Sequence, residues 1–213
     1  FKLGIPYIKP CAEHPLGTND VGQDLLSELI YGTRVSMFIG IFTALIVTVL
    51  AALLALVAGY YKGWVDRIVT ALTNVTMGLP SLALTVLLTA YLSPGKLSMI
   101  IAISLTAWTG TSRILRSRVV QLCEMPFVKI EKAIGMNDFV IMVKHILPNL
   151  KDIILSRAAL SVSSAIMMES SLSFLGLGSY KEKSWGLILH YAFYQRGVIR
   201  GYYWWYLPPI ICT

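Results

Sequence analysis

One carboxylate in this chain lies well inside an apolar run. It is Glu169, in the stretch from about Ile153 to Leu177. Intramembrane carboxylates cost roughly a few kcal/mol on insertion scales and usually face a cavity or a partner. Two uses fit Glu169. It meets a cationic group, or it sits near the outer surface bonded to neighbouring serines. Earlier in the chain Thr70, Thr73, Asn74 and Met77 recur at i, i+3, i+4 and i+7, a polar-leaning stripe on one helical face. Such a stripe lines a translocation path or serves as hydrogen-bonding glue between helices, worth about 0.6 kcal/mol per bond. Both readings stand. Pro80 follows the stripe and is expected to kink that helix and free a carbonyl.

Residues for bond chemistry are scattered. His14, His145 and His190 are unrelated in spacing, so no metal cage follows. Cys11, Cys123 and Cys212 are odd in number and far apart, which makes neither a disulfide framework nor a metal site. A Ser–His dyad, as in an intramembrane protease, is available by composition, yet no serine sits in a G-x-S-x-G elbow. No G-x-x-x-x-G-K-[ST] phosphate loop occurs. If nucleotide drives this protein, the hydrolysis happens on another polypeptide. No catalytic residue, metal ligand or bound cofactor is assigned to the chain.

The elements that position these residues are membrane spans. Of 213 residues, 56% are hydrophobic and 14% charged, and the mean hydropathy is +0.68. A soluble domain has about a quarter of its residues charged. The net charge of +7 would suggest nucleic acid in a soluble protein; here it reads as the positive flanks of spans. Crossing a ~30 Å hydrocarbon layer takes about 20 helical residues. Four stretches approach that length: about Ser36–Tyr61, Ile68–Leu92, Leu97–Leu115 and Ile153–Leu177, the last with Arg157 near its start. A fifth begins near Tyr202. The sequence does not open on Met and stops within an apolar run from Tyr206, so the chain is expected to be a fragment lacking sequence at both ends. The cluster Tyr202–Tyr206 reads as an interfacial belt.

The connections differ in kind. Residues 60–67 form a short loop, Ser93–Lys96 a tight turn, and 179–201 a polar, aromatic segment. Alternation puts 60–67 and 113–151 on one side, with nine Lys/Arg against eight on the other. Arg113, Arg116 and Arg118 crowd one helix end and favour that side as cytoplasmic.

The insert at 119–149 is the polar, basic break between long apolar runs. Pro126 suits the first turn of a short helix. Phe127, Ile130 and Ile134 recur at helical spacing, with Lys129, Glu131 and Lys132 among them. Gly135 can take the left-handed conformation that ends a helix. Asn137 or Asp138 can cap a second one, which Pro148 stops. A membrane protein that holds out such a helix docks it on something, or lays it on the interface. In the docking reading Phe127, Ile130 and Ile134 are buried knobs, Gly135 a close-packed bend, and Lys129, Glu131 and Lys132 a rim that sets specificity. Near the N-terminus Asp20 and Gln23 have capping-box spacing, and Leu25, Leu26, Leu29 and Ile30 form a stripe. That predicts an interfacial helix stopped by Gly32, within an extracytoplasmic segment 1–35.

The motifs then fall into a family pattern. His14-Pro15-Leu16-Gly17-Thr18, Gly22, Asp24, Ser27, Tyr31-Gly32 and Arg34-Val35-Ser36 resemble the approach to the second span in the inner-membrane permeases of binding-protein-dependent ABC importers for dipeptides, oligopeptides and nickel. Phe127-Val128, Ala133, Gly135 and His145-Ile146-Leu147-Pro148-Asn149 resemble that family's cytoplasmic coupling loop. Leu172–Gly178 followed by Ser184-Trp185-Gly186 resembles the end of its fifth span. The chain is similar to the C-type of the paired permeases.

The resemblance implies an all-α membrane protein, a polytopic helical bundle of the ABC importer permease (MetI-like) type. This chain would hold about five of six transmembrane helices, with residues 36–213 as the permease domain. It implies a second homologous permease subunit, two cytoplasmic ATPase subunits that hold ATP and magnesium, an extracytoplasmic solute-binding protein, and a multi-pass place in the prokaryotic inner membrane among lipid. It implies that the coupling residues are Phe127, Val128, Lys129, Ile130, Glu131, Lys132, Ala133, Ile134, Gly135, His145 and Pro148. The family's usual Glu-Ala-Ala is replaced here by Lys129, Ile130 and Glu131, and Gln23 and Glu28 stand where arginine is favoured. The competing classes are an intramembrane enzyme and a secondary transporter. The latter predicts inverted repeats with broken helices at matching positions, and only the Gly78–Pro80 break is evident.

Overall fold

The computed structural model describes residues 4–92, 95–180 and 182–213, and among them the regular structure is helical. The helices are α1 (Leu25–Tyr61), α2 (Gly63–Gly78), α3 (Ser81–Tyr91), α4 (Lys96–Cys123), α5 (Pro126–Ala133), α6 (Asp138–Val140), α7 (Leu147–Phe174), α8 (Trp185–Tyr194) and α9 (Tyr203–Cys212), with a π-helical turn at Ile141–Ile146. The tight turn expected at Ser93–Lys96 lies partly outside the described residues. The chain falls into two compact units, one of residues up to 42, 86–101 and 163–213, the other of 43–85 and 102–162.

α1 has 37 residues, about 55 Å at helical rise. It absorbs the helix expected to lie along the interface. Gly32 is not a stop: a Cβ there would meet Trp185 Cδ1 at 3.1 Å, so this glycine is a place of close approach. Nor do Asp20 and Gln23 cap the helix. Asp24 does, accepting from the Ser27 N–H at 2.9 Å and from the Ser27 hydroxyl at 2.6 Å. Burial pushes the Asp24 carboxyl up, but those bonds and His14 outweigh it and hold it below the usual carboxylate range.

The second apolar run is broken rather than kinked. α2 and α3 meet at 93°. Leu79 is extended (φ −95°, ψ 142°), as a residue before proline prefers, and Pro80 restarts the chain in a new direction. By length and composition, α1 and the joined helix Asp138–Phe174 are each able to cross a membrane, and the bent pair makes a third if it counts as one span. α4, expected as a span of its own, is not among them. Serines, threonines and three arginines dilute its apolar run.

Pro148 does not end the helix that Asn137 begins. Helix continues through it from Asp138 to Phe174, by way of the π turn. Leu147 N–H bonds the Met142 carbonyl, a five-residue reach just ahead of the ring that has no N–H to give. The widened turn also fits the burial. Ile141 and Ile146, five apart, are both fully buried, whereas on an ordinary helix they would lie about 140° apart.

The unit of residues 43–85 and 102–162 has a core of Leu56, Tyr60, Val119, Leu122, Cys123, Val128, Ile141, Met142, Ile146 and Leu150. In the other unit, Leu25, Ile188, Ala192, Trp204 and Trp205 pack together with Tyr7 and Leu16 beside them. The two tryptophans expected in an interfacial belt are therefore core residues. Trp205 is 1% exposed, and Tyr202 stacks on Tyr7 at 4.8 Å. The segment 179–201, expected as a loop, holds the ten-residue α8, capped by the Ser184 hydroxyl accepting from Leu187 N–H.

Candidate functional site: the 119–149 segment and a polar cavity

The backbone of the insert follows from its residue types. Pro126 occupies the first turn of α5, where a missing N–H is harmless. Gly135 sits at φ +81° and turns the chain. Asn137 caps the next helix, its side chain accepting from Phe139 N–H at 2.8 Å.

Burial divides α5 in two. Val128 is fully buried in the core of its unit. Phe127, Ile130 and Ile134 are 37%, 61% and 71% exposed, a row of apolar side chains that this chain leaves uncovered. Phe139 is exposed as well; its place just after the Asn137 cap was the signal that could have singled it out. No group of the described chain lies within 4 Å of a Cβ built on Gly135, so the bend is left-handed but not close-packed here.

The charged residues expected as a rim are tied to this chain's own groups. Glu131 pairs with His145 at 2.7 Å. The Lys132 ammonium lies 4.1 Å from the centre of the Tyr60 ring. Lys129 and Lys62 both reach Glu124, at 3.1 and 2.7 Å, and hold its carboxyl down to about 2. Tyr60 closes the set, donating to Asp138 Oδ1 at 2.5 Å. Ala133 is exposed, and Pro148 is exposed at the start of α7.

The stripe on α2 borders a cavity of about 380 Å³, lined by Val69, Thr70, Thr73, Asn74, Ser112, Arg113 and Arg116. Thr73 donates to the Val69 carbonyl at 2.8 Å, and Thr70 lies 3.4 Å from Asp66 Oδ1. Arg113 donates to Asn74 Oδ1 at 2.7 Å. Arg116 forms a two-pronged pair with Asp66. From composition these arginines read only as a positive flank. Their role in the cavity depends on partners 39 and 50 residues away in sequence.

Glu169 belongs to the other unit. It is fully buried and accepts from Ser36 at 3.0 Å and Ser173 at 2.7 Å, with Ser170 at 3.5 Å. The serine-bonded alternative describes these contacts. Arg157 lies on α7, in the unit of residues 43–85 and 102–162. Its guanidinium lies 3.4 Å from the Thr111 hydroxyl, and its Nε is buried with no hydrogen-bond partner among the described residues. The remaining histidines have separate surroundings, His14 at Asp24 and His190 at the Phe174 carbonyl.

Comparison with known proteins adds an independent line. Residues 51–184 match the family described as binding-protein-dependent transport system inner membrane component. The chain is 36% identical over 198 residues to the dipeptide transport system permease protein DppC of Bacillus subtilis (strain 168), covering 92% of this chain and 61% of that protein. It is 31% identical over 184 residues to the glutathione transport system permease protein GsiD of Pectobacterium atrosepticum, covering 86% and 61%. It is 35% identical over 171 residues to the oligopeptide transport system permease protein OppC of Mycobacterium tuberculosis (strain H37Rv), covering 79% and 59%. The chain thus spans about three fifths of the length of these relatives. Among solved structures, a chain of the inward-facing MetNI methionine ABC transporter superposes with a TM-score of 0.68 at 15% identity, over 88% of this chain and 95% of that one. That likeness establishes the fold, the helical MetI-like bundle.

Proposed function

The chain belongs to the family of binding-protein-dependent transport system inner membrane components, and from that premise we propose that it is one of two permease subunits of an ATP-driven peptide importer. The other components are a second homologous permease, two cytoplasmic ATPases that bind ATP and magnesium, and an extracytoplasmic solute-binding protein. The site is the prokaryotic inner membrane. The relatives named above are permeases for dipeptides, oligopeptides and glutathione, which favours peptides over nickel chelates as the substrate class.

One observation carries the mechanical part: a short helix anchored by a buried Val128 while Phe127, Ile130 and Ile134 stay uncovered. An apolar row on a rigid mount fits a groove in another protein better than it fits water. The ATPases bind there, and their nucleotide-dependent movement is passed to the helices through α5. Binding of ATP favours one arrangement of the spans and hydrolysis the other. Each partner shifts that equilibrium only by binding the two states differently.

The full-length subunit, co-expressed with the second permease and the ATPases, should purify as one assembly. Reconstituted with the binding protein, that assembly should accumulate peptide only when ATP is hydrolysed. Ile130→Asp with Ile134→Asp should release the ATPases from an intact membrane part. Uptake without nucleotide, or full ATPase retention by the double variant, would overturn the proposal.

A further inference from the structure

α2 has two unlike faces. Trp64, Ile68, Leu72 and Val75 are exposed and apolar along one side. Thr70, Thr73, Asn74 and Met77 lie roughly opposite, at about 100° of rotation per residue. The cavity opens on the second face, where α4 adds Ser112, Arg113 and Arg116. Of its seven lining residues only Val69 has an aliphatic side chain. Its volume of about 380 Å³ suits a small organic molecule or one end of a larger one.

The charges in this cavity do not cancel. Arg116 is neutralised by Asp66, which binds it with both oxygens. Arg113 is exposed, and its hydrogen bond is to Asn74, a neutral amide. A guanidinium has five N–H donors arranged to match a carboxylate. Beside it stand the Thr70 and Ser112 hydroxyls and the Asn74 amide, which suit the donors and acceptors of a peptide backbone. A lipid phosphate would also answer the charge, but its acyl chains belong with the apolar face on the other side of α2.

We propose that this cavity receives the C-terminal carboxylate of the transported peptide, with Arg113 as its anchor and Thr70, Asn74 and Ser112 around the adjoining amide. The assignment rests on the peptide-importer reading above and adds a substrate subsite to it. Asp66 is a positioning residue: it holds the Arg116 side chain and leaves Arg113 as the cavity cation that, among the described residues, has no carboxylate partner.

The test uses the full importer in proteoliposomes with its binding protein and ATP. The probes are radiolabelled trialanine and its C-terminal amide. Arg113→Ala should lower the ratio of free-acid to amide uptake by about tenfold, as expected for loss of a charge-assisted hydrogen-bond pair. Arg113→Lys should keep that ratio within about twofold of wild type, because the charge remains. Equal loss of both probes in Arg113→Ala overturns the subsite and leaves the importer reading intact. So does a loss that vanishes in vesicles of purely zwitterionic lipid, which would assign the cavity to an anionic headgroup. A wild-type importer that accumulates neither probe overturns the underlying reading and the subsite with it.

Discussion

Tyr60, near the end of α1, donates its hydroxyl to Asp138 at the start of α6, at 2.5 Å. The same ring carries the Lys132 ammonium on its face at 4.1 Å. One buried side chain therefore fastens both arms of the 119–149 segment. Tyr60→Phe keeps the ring and removes the bond, leaving Asp138 short of a donor. The expected cost is about 1–2 kcal/mol of local stability. Hydrogen exchange should show faster opening of residues 126–140, and peptide carried per ATP should fall. Unchanged exchange there would show that the bond does not hold the segment.

Val128 and its neighbours on α5 should separate folding from docking. Val128→Ala removes buried methyl groups and should lower thermal stability by about 1–3 kcal/mol. Ile134→Asp changes a side chain that touches mainly solvent in this chain, so stability should move by less than about 0.5 kcal/mol. It should weaken ATPase association strongly. Thermal unfolding and co-purification, run on both variants, read the two effects.

At Gly135 the constraint is the backbone and not the space around it. No group of the described residues lies within 4 Å of the missing Cβ, yet φ is +81°. A β-branched residue there should cost about 1–2 kcal/mol, and asparagine should cost less. Gly135→Val is therefore expected to misdirect α5 relative to α6, uncoupling ATP hydrolysis from transport while the spans stay folded. Gly135→Asn should retain more coupling. The two rates, measured on one reconstituted sample, give the ratio that decides it.

Glu124 gives a pH signature. Lys62 and Lys129 hold its carboxyl down to about 2, against an ordinary value of 4.5. An acid lowered in the folded state contributes stability that is present above its unfolded value and lost as pH falls through the folded one. That window runs from about 4.5 down to about 2. In Lys62→Met/Lys129→Met the midpoint should rise toward 4.5, as read by carbon-13 labelling of glutamate carboxyls. A midpoint unmoved by the double change would deny the pairing.

Much of the 119–149 segment was legible because its signals are local. Proline at a first turn, glycine at a left-handed bend and asparagine at a cap each act through their own backbone. The apolar row Phe127, Ile130 and Ile134 was equally plain from spacing, although its exposure was not. Gly32 misled because a glycine serves either to end a helix or to admit a neighbour, and Trp185 is 153 positions away. Pro148 misled because helical spacing assumes i to i+4 bonding, which the π turn abandons. The cavity arginines were visible as charges, but Asp66 and Asn74 had to be brought beside them before they could become a site.

The π turn at Ile141–Ile146 has a further consequence for α7. A helix that spends an extra residue on one lap is out of phase, by about 100°, with the count that a ruler laid on the sequence would give. The wide lap works like a gear tooth inserted in the shaft. Taking out a single residue between Ile141 and Ile146 would let the lap close to ordinary pitch and leave the direction of everything beyond Leu147 nearly as it was. The same deletion one lap further along would swing every later side chain to a different bearing.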